Sequence, residues 1–272
     1  MKRTLSLLIS ALAAGGFAAG GGTAVAQEKV TYLFPAPPML PAFGPIRLAQ
    51  GKGYFKAEGL DVQTKMFSAP GDGIAPLLAG DLDAHLTTAD SVIVALDKAP
   101  GQITNIYLTD TSAGADAILA KPQIKTVKDL KGHEVAATLG QCNELLLVKA
   151  LGKAGLSEKD VKLTNMNPDD AGTAFAAGKL DAAATWEPWI TKISGEKTGH
   201  VIFSSKETPN LILDTLAISQ ATAKSKAAET KAFVRALDKA NAFVIADPKA
   251  AAAIGAKAME QTPDEVAGMI PK

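Results

Sequence analysis

A single cysteine, Cys142, stands among 272 residues, so the chain can form no internal disulfide and no thiolate zinc cluster. Histidine is nearly as scarce. His85, His133 and His200 sit in unrelated contexts, which speaks against a histidine-built metal centre, and no metal site is expected. Charge of one sign is also missing: 28 Lys and Arg balance 28 Asp and Glu, so no basic excess suggests a nucleic acid or an anionic membrane as partner. Long hydrophobic runs are absent as well. The most apolar stretch, Leu5 to Ala19, is glycine-interrupted and falls short of the roughly 20 residues that a membrane helix needs. What is present is a 47% hydrophobic, 21% charged composition, that of a water-soluble globular protein of one or two domains with a large core.

Lys2 and Arg3 precede that stretch, and Ala24-Val25-Ala26 follows it with the small-x-small pattern of a signal-peptidase site. Residues 1–26 are therefore expected to be a signal peptide, with a non-cleaved anchor as the alternative. No cysteine lies near the cut, so a lipid anchor is not expected. The mature chain from Gln27 loses two basic residues, leaving 26 against 28 acidic ones and a net charge of −2. This describes an exported protein of the periplasm.

Downstream, strand and helix patterns alternate with short connections. Lys29–Phe34 reads as a strand, and the proline-rich loop from Pro35 to Pro41 ends it. Strands are predicted at Leu60–Phe67, Asp83–Thr87 and Ile103–Leu108, with helices at Gly73–Leu78 and Ser91–Lys98 between them. The pattern restarts at Ala115, with strands at 115–121, 134–138, 161–166 and 181–185. Helices at 143–154 and 171–177 separate them, another is expected to begin at Trp186, and strands at 201–203 and 211–219 follow. From Thr222 onward Ala, Lys and Glu at helical spacing predict helices. The run Ala250–Ala253 fits a helix former and shows no sign of a cofactor, and none is expected. Such alternation predicts an α/β fold with mainly parallel sheets covered by helices.

A repeat sharpens this. Leu78-Ala79-Gly80-Asp81-Leu82-Asp83-Ala84 returns 98 residues later as Ala176-Ala177-Gly178-Lys179-Leu180-Asp181-Ala182. Each copy reads as a helix ending at glycine, a packing leucine and a short strand. Two similar lobes are expected: 27–111 with 220–272 as the first, 112–219 as the second. Ligands of such sheets bind beyond the carboxyl ends of the strands.

The candidate site is accordingly the set of strand-to-helix loops. Trp186 offers an indole wall to a small solute, or else belongs to the core. Glu187 suits an amine or ring N–H, or else caps locally. Gln141, Cys142 and Asn143 precede an apolar helix whose free N–H groups favour a polar or anionic head, although Asn143 also fits as N-cap. The helix start is expected to lower the thiol pKa of Cys142, but no partner histidine motif makes it a nucleophile. Asp72, Thr88 and Asp90 come from the first lobe, where the two acids also suit capping. Ser112, Asp116 and Asp214 flank the lobe crossings, and Met39 in the proline-rich loop completes the set. Acids outnumber bases among these loops, so a cationic, amine-bearing or neutral heterocyclic solute fits better than a bare anion.

Gly53-Tyr54-Phe55-Lys56-Ala57-Glu58-Gly59-Leu60-Asp61-Val62 resembles a segment of periplasmic solute-binding proteins of ABC importers, in the nitrate, sulfonate, taurine and bicarbonate group that also contains thiamine-pyrimidine binders. Ser112–Ile118, Val127–Gly132, Ala150–Leu156 and Asp181–Pro188 match in the family's order. The resemblance implies a two-lobed type II periplasmic binding fold. It also implies a non-enzymatic, monomeric receptor for a small-molecule ligand, served by permease and ATPase subunits. A ligand-sensing role without transport, or a same-fold enzyme of thiamine-pyrimidine synthesis, are the alternatives; the enzyme depends on a His- and Cys-rich iron site that this sequence does not have. Family members usually continue past Pro271-Lys272, so short or missing final helices are expected. Gln141-Cys142-Asn143 departs from the small hydroxyl residues common in that loop, so a sulfonate or nitrate pocket does not transfer directly.

Overall fold

The computed structural model describes residues 28–34, 44–258 and 262–269. The expected signal peptide, the proline-rich loop and Met39 lie outside the described residues. In chain order the elements are β1 (Glu28–Phe34), α1 (Gly44–Gly51), α2 (Tyr54–Ala57), β2 (Leu60–Met66), α3 (Ile74–Ala79), β3 (Ala84–Thr88), α4 (Ala89–Lys98) and β4 (Ile103–Thr111). There follow β5 (Asp116–Ala120), β6 (Glu134–Ala137), α5 (Cys142–Lys153), β7 (Lys162–Asn165), α6 (Pro168–Ala176), β8 (Ala182–Trp186), α7 (Trp189–Glu196) and β9 (His200–Ser204). The chain closes with β10 (Leu213–Ser219), α8 (Gln220–Ser225), α9 (Ala227–Ala246), α10 (Pro248–Ala258) and α11 (Pro263–Met269).

The strands form two five-stranded sheets, ordered β2-β1-β3-β10-β4 and β7-β6-β8-β5-β9. β1 runs parallel to β2 and β3, and β6 parallel to β7 and β8. The single antiparallel strand of each sheet, β10 or β5, follows a crossing from the other sheet. Leu213–Ser219, expected in the second lobe, pairs instead with β3 and β4. The chain therefore returns to the first sheet before Leu213, not after Ser219. Alternating side chains separate the layers. Leu216 and Ile218 pack on the side of α1 and α9, where Phe55 and Phe233 stack at 4.6 Å, while Ala217 faces Leu77 and Val92 of α3 and α4. In the second sheet Ile118 and Ala184 meet Leu146 and Ala150 of α5, and Leu119 and Ala183 meet Phe175 and Ile193 of α6 and α7.

The 98-residue repeat has a structural cause. Gly80 and Gly178 both take left-handed conformations, at φ 83° and 74°, to stop α3 and α6. The aspartate of each copy then accepts an N–H from the parallel neighbour strand, Asp83 from Thr31 and Asp181 from Glu134. Thr87 donates its hydroxyl to the carbonyl of Pro70, and Thr185 to that of Pro168, each 17 residues upstream. These bonds hold the loop before each helix against the end of the strand after it, so the two sheets present similar loops.

Candidate functional site

Gly71, in the loop after β2, donates its N–H to Oε1 of Gln141, in the loop after β6, at 3.1 Å. The two loops belong to different sheets, so this bond crosses between them. A Cβ on Gly71 would lie 3.3 Å from the Gln141 amide, and glycine is what lets the backbone approach so closely. Beside the bond opens a cleft of about 450 Å³ with Ser68 and Asp72 on one wall and Thr138, Asn167 and Asp170 on the other. Asp72 commits one oxygen to the N–H of Ala69, closing its own turn.

Buried carboxylates gather where the chain crosses from one sheet to the other. Asp116 starts β5, and Asp214 stands second in β10; they are 98 residues apart and occupy equivalent places. Asp116 pairs with the last residue of β8, Trp186, and Asp214 with the last residue of β3, Thr88. Both acids are nearly inaccessible, at 7% and 8% exposure. Asp90 joins them from the first turn of α4 and Asp110 from the end of β4. Burial pushes the Asp116 carboxyl up to about 6; the Ser112 hydroxyl opposes this, and the charges of Asp110 and Asp90 add to it. Burial and the neighbouring Asp110 raise Asp214 well above the carboxylate range, and burial raises Asp110 and Asp90. Among the described residues no lysine, arginine or histidine forms an ion pair with any of these four acids.

Hydroxyls support the cluster. Ser112 donates to Asp116 and contacts Ser205 at 2.8 Å, while Ser205 accepts the N–H of Gly114. Thr88 and Ser91 share a bond at 3.0 Å beside Asp90. Cys142 and Asn143 enter from the first turn of α5, both buried. The thiol stands well above its ordinary pKa because of burial, with Asp116, Asp90 and Asp214 adding to the rise. That reverses the lowering expected from a helix start, since burial away from water disfavours the thiolate and the nearby carboxylates add to the effect. Asn143 is the second helical residue, not the N-cap, and Gln141 holds the cap position without a side-chain cap bond.

Other expected residues are engaged elsewhere. Trp186 is 3% exposed, lies in the core cluster and donates its indole N–H to Asp169 at 3.2 Å, so its ring is no open wall. Trp189 donates to the same oxygen, and its ring lies against Gly172. Glu187 caps locally, bonding the backbone and hydroxyl of Thr191. The structure thus gathers Thr88, Asp90, Ser112, Asp116, Cys142, Asn143 and Asp214, with Asp72 and Gln141 at the cleft beside them. Asp110, Ser91 and Ser205 were missed from the sequence. Asp110 precedes the expected crossing by a few residues, and the 98-residue offset between Asp116 and Asp214 was a signal available for the pair.

The sequence profile of the family described as NMT1/THI5 like matches residues 40–251. A Brucella abortus protein named as a binding protein is 29% identical over 218 residues, covering 77% of this chain and 66% of that protein. The chain thus spans just under two thirds of that relative's length. An Escherichia coli protein named for binding aliphatic sulfonates is 34% identical over 127 residues, covering 46% of this chain and 40% of its own. The alkanesulfonate-binding protein from Xanthomonas axonopodis pv. citri, solved with MOPS, superposes with a TM-score of 0.77 at 21% identity, covering 90% of this chain and 84% of that one. That likeness establishes the two-lobed periplasmic binding fold.

Proposed function

Because the chain belongs to the NMT1/THI5-like family, we propose that it is the solute-binding component of an ABC importer. It captures a small polar organic solute between its lobes and delivers it to a permease driven by an ATPase. The lobes divide as 28–111 with 213–269 and as 112–212, with the hinge at the two crossings. The chain acts in the periplasm as a monomer, exported by the leader at 1–26. The observation that carries this reading is the Gly71–Gln141 bond beside a cleft whose walls come from two separate sheets. A ligand touching both walls favours the closed arrangement, and one touching a single wall shifts nothing. Hinge closure then converts ligand concentration into a population that a permease can read.

The test is a thermal-shift panel of sulfonates, taurine, nitrate, pyrimidines and amines, with small-angle scattering on every hit. At least one compound is expected to raise the melting temperature and reduce the radius of gyration. A panel in which stabilisation never accompanies compaction overturns the reading.

A further inference from the structure

We propose that the solute is a short diamine, charged at both ends, that spans the cleft from Asp72 on one wall to Asp170 on the other. The proposal rests on the binding-protein reading and names the ligand class for the same site. The two walls are copies of one loop. Asp72 and Asp170 lie 98 residues apart, the offset of the repeat, and so do Pro70 and Pro168 and the threonines that bond their carbonyls. The bonding within each loop matches too. Oδ2 of Asp72 accepts the backbone N–H of Ala69 at 3.1 Å, and Oδ2 of Asp170 accepts the side-chain amide of Asn167 at 2.6 Å. Ala69 and Asn167 are again equivalent in the repeat. Each carboxylate thus keeps its Oδ1 for the cleft of about 450 Å³ that both residues line.

A cleft with one acid at the same place on each wall suits a ligand with the same kind of end twice. None of the described residues that line it is Lys, Arg or His. A cleft lined by one sign of charge gathers counterions. Closing it sets two like charges opposite each other, which is unfavourable until both are matched. Two ammonium groups match both. A monoamine leaves one carboxylate unmatched, and a sulfonate or nitrate adds a further negative charge. The neutral side chains complete the fit. Gln141 and Asn165 give their carbonyl oxygens to the N–H groups of Gly71 and Leu139, each at 3.1 Å, and keep their amide N–H groups for an acceptor in the body of the ligand. Because its two ends bind different walls, such a solute favours the closed arrangement in a way that a single-ended one does not.

The test is isothermal titration calorimetry on the full chain, paired with scattering. The probes are the linear diamines from ethylenediamine to hexamethylenediamine and diaminopropanol, with butylamine as the single-ended control. Butanediol is the neutral probe, butanesulfonate and nitrate are the anions, and calcium chloride is the metal. At least one diamine is expected to bind and to reduce the radius of gyration, with butylamine weaker by about tenfold or more. Asp72→Asn and Asp170→Asn should each bring that diamine down to about the affinity of butylamine. Asp97→Asn, on the exposed side of α4, should leave it unchanged. The ratio of diamine to butylamine affinity is read on the unaltered chain, so it decides even if a variant fails to fold. A diamine that binds no better than butylamine overturns the proposal, as does one whose affinity both variants leave intact. Calcium binding that is lost in the same variants, with no diamine binding, overturns it too. Compaction by butanediol, butanesulfonate or nitrate alone also overturns it but leaves the binding-protein reading standing. If no probe of any class binds, both readings fail.

Discussion

At the residue scale, Trp186 shows why a side chain's direction does not follow from its place in the chain. An aromatic after a short apolar strand reads equally well as a ligand wall or as core. The partner that decides it, Asp169, lies 17 residues earlier, beyond any local pattern. Trp186→Ala is therefore expected to destabilise the fold by about 3–5 kcal/mol, the usual cost of deleting a large buried ring. Urea unfolding measures this, and an unchanged midpoint with weakened ligand binding would return the ring to the cleft. Asp116 gives the second prediction. Its carboxyl is raised from 3.8 to about 6 in the folded state, so its contribution is fully favourable below about pH 4 and is lost as pH rises through about 6. At about 1.4 kcal/mol per unit the loss is on the order of 3 kcal/mol. Asp116→Asn should match the wild type near pH 4 and exceed it in stability at pH 7 by a similar amount. Unfolding curves at four pH values check this, and parallel pH profiles would remove Asp116 from the buried cluster.

At the element scale, most of the fold was legible, because apolar runs of strand length alternate with helical spacing and glycine marks where helices stop. The start of α7 was not. Trp186 continues β8, and the helix begins only at Trp189, after Glu187-Pro188. The lobe of β10 was not legible either, since Leu213–Ser219 alternates identically whichever sheet receives it. The antiparallel crossing strand is fixed by pairing with β3 and β4, a contact of long sequence range. The two glycine types predict different outcomes on substitution. At Gly178, φ is 74° and no atom lies within 4 Å of an added Cβ, so Gly178→Ala should cost only the left-handed conformation, about 1 kcal/mol. Gly172 sits in α6 with the Trp189 ring 2.3 Å from where its Cβ would be, so Gly172→Ala must displace that ring. We expect it to cost more, typically about 1–3 kcal/mol of overpacking, and to alter tryptophan fluorescence where Gly178→Ala does not. Equal effects from both would show that the ring can move freely.

For the whole molecule, the question is what holds the lobes together before a solute arrives. One pairing of acids opposes closure: Asp116 of the second sheet feels the like charges of Asp110 on the first and of Asp90 on its helix α4. Against this stands the Gly71–Gln141 bond, which joins a loop of one lobe to a loop of the other. The sequence pointed to Gln141 as a loop residue near the ligand, but not to its partner, because a backbone N–H in another lobe leaves no trace in side-chain pattern. A neutral hydrogen bond contributes about 0.5–1.5 kcal/mol, so Gln141→Ala should shift an open–closed equilibrium by roughly two- to tenfold toward open. A bond made only in the closed arrangement adds nothing to the open one, so the variant should leave the unfolding midpoint of the open protein nearly unchanged. Its ligand-free radius of gyration should rise toward the open limit, and saturating ligand should restore the closed value. The apparent dissociation constant should rise by about the same factor as the loss of closed population, because the ligand must then offset a larger closing cost. Scattering and calorimetry on one variant measure the two factors separately. Agreement between them makes the bond a closure contact, whereas an affinity loss with unchanged scattering would make Gln141 a direct ligand contact instead.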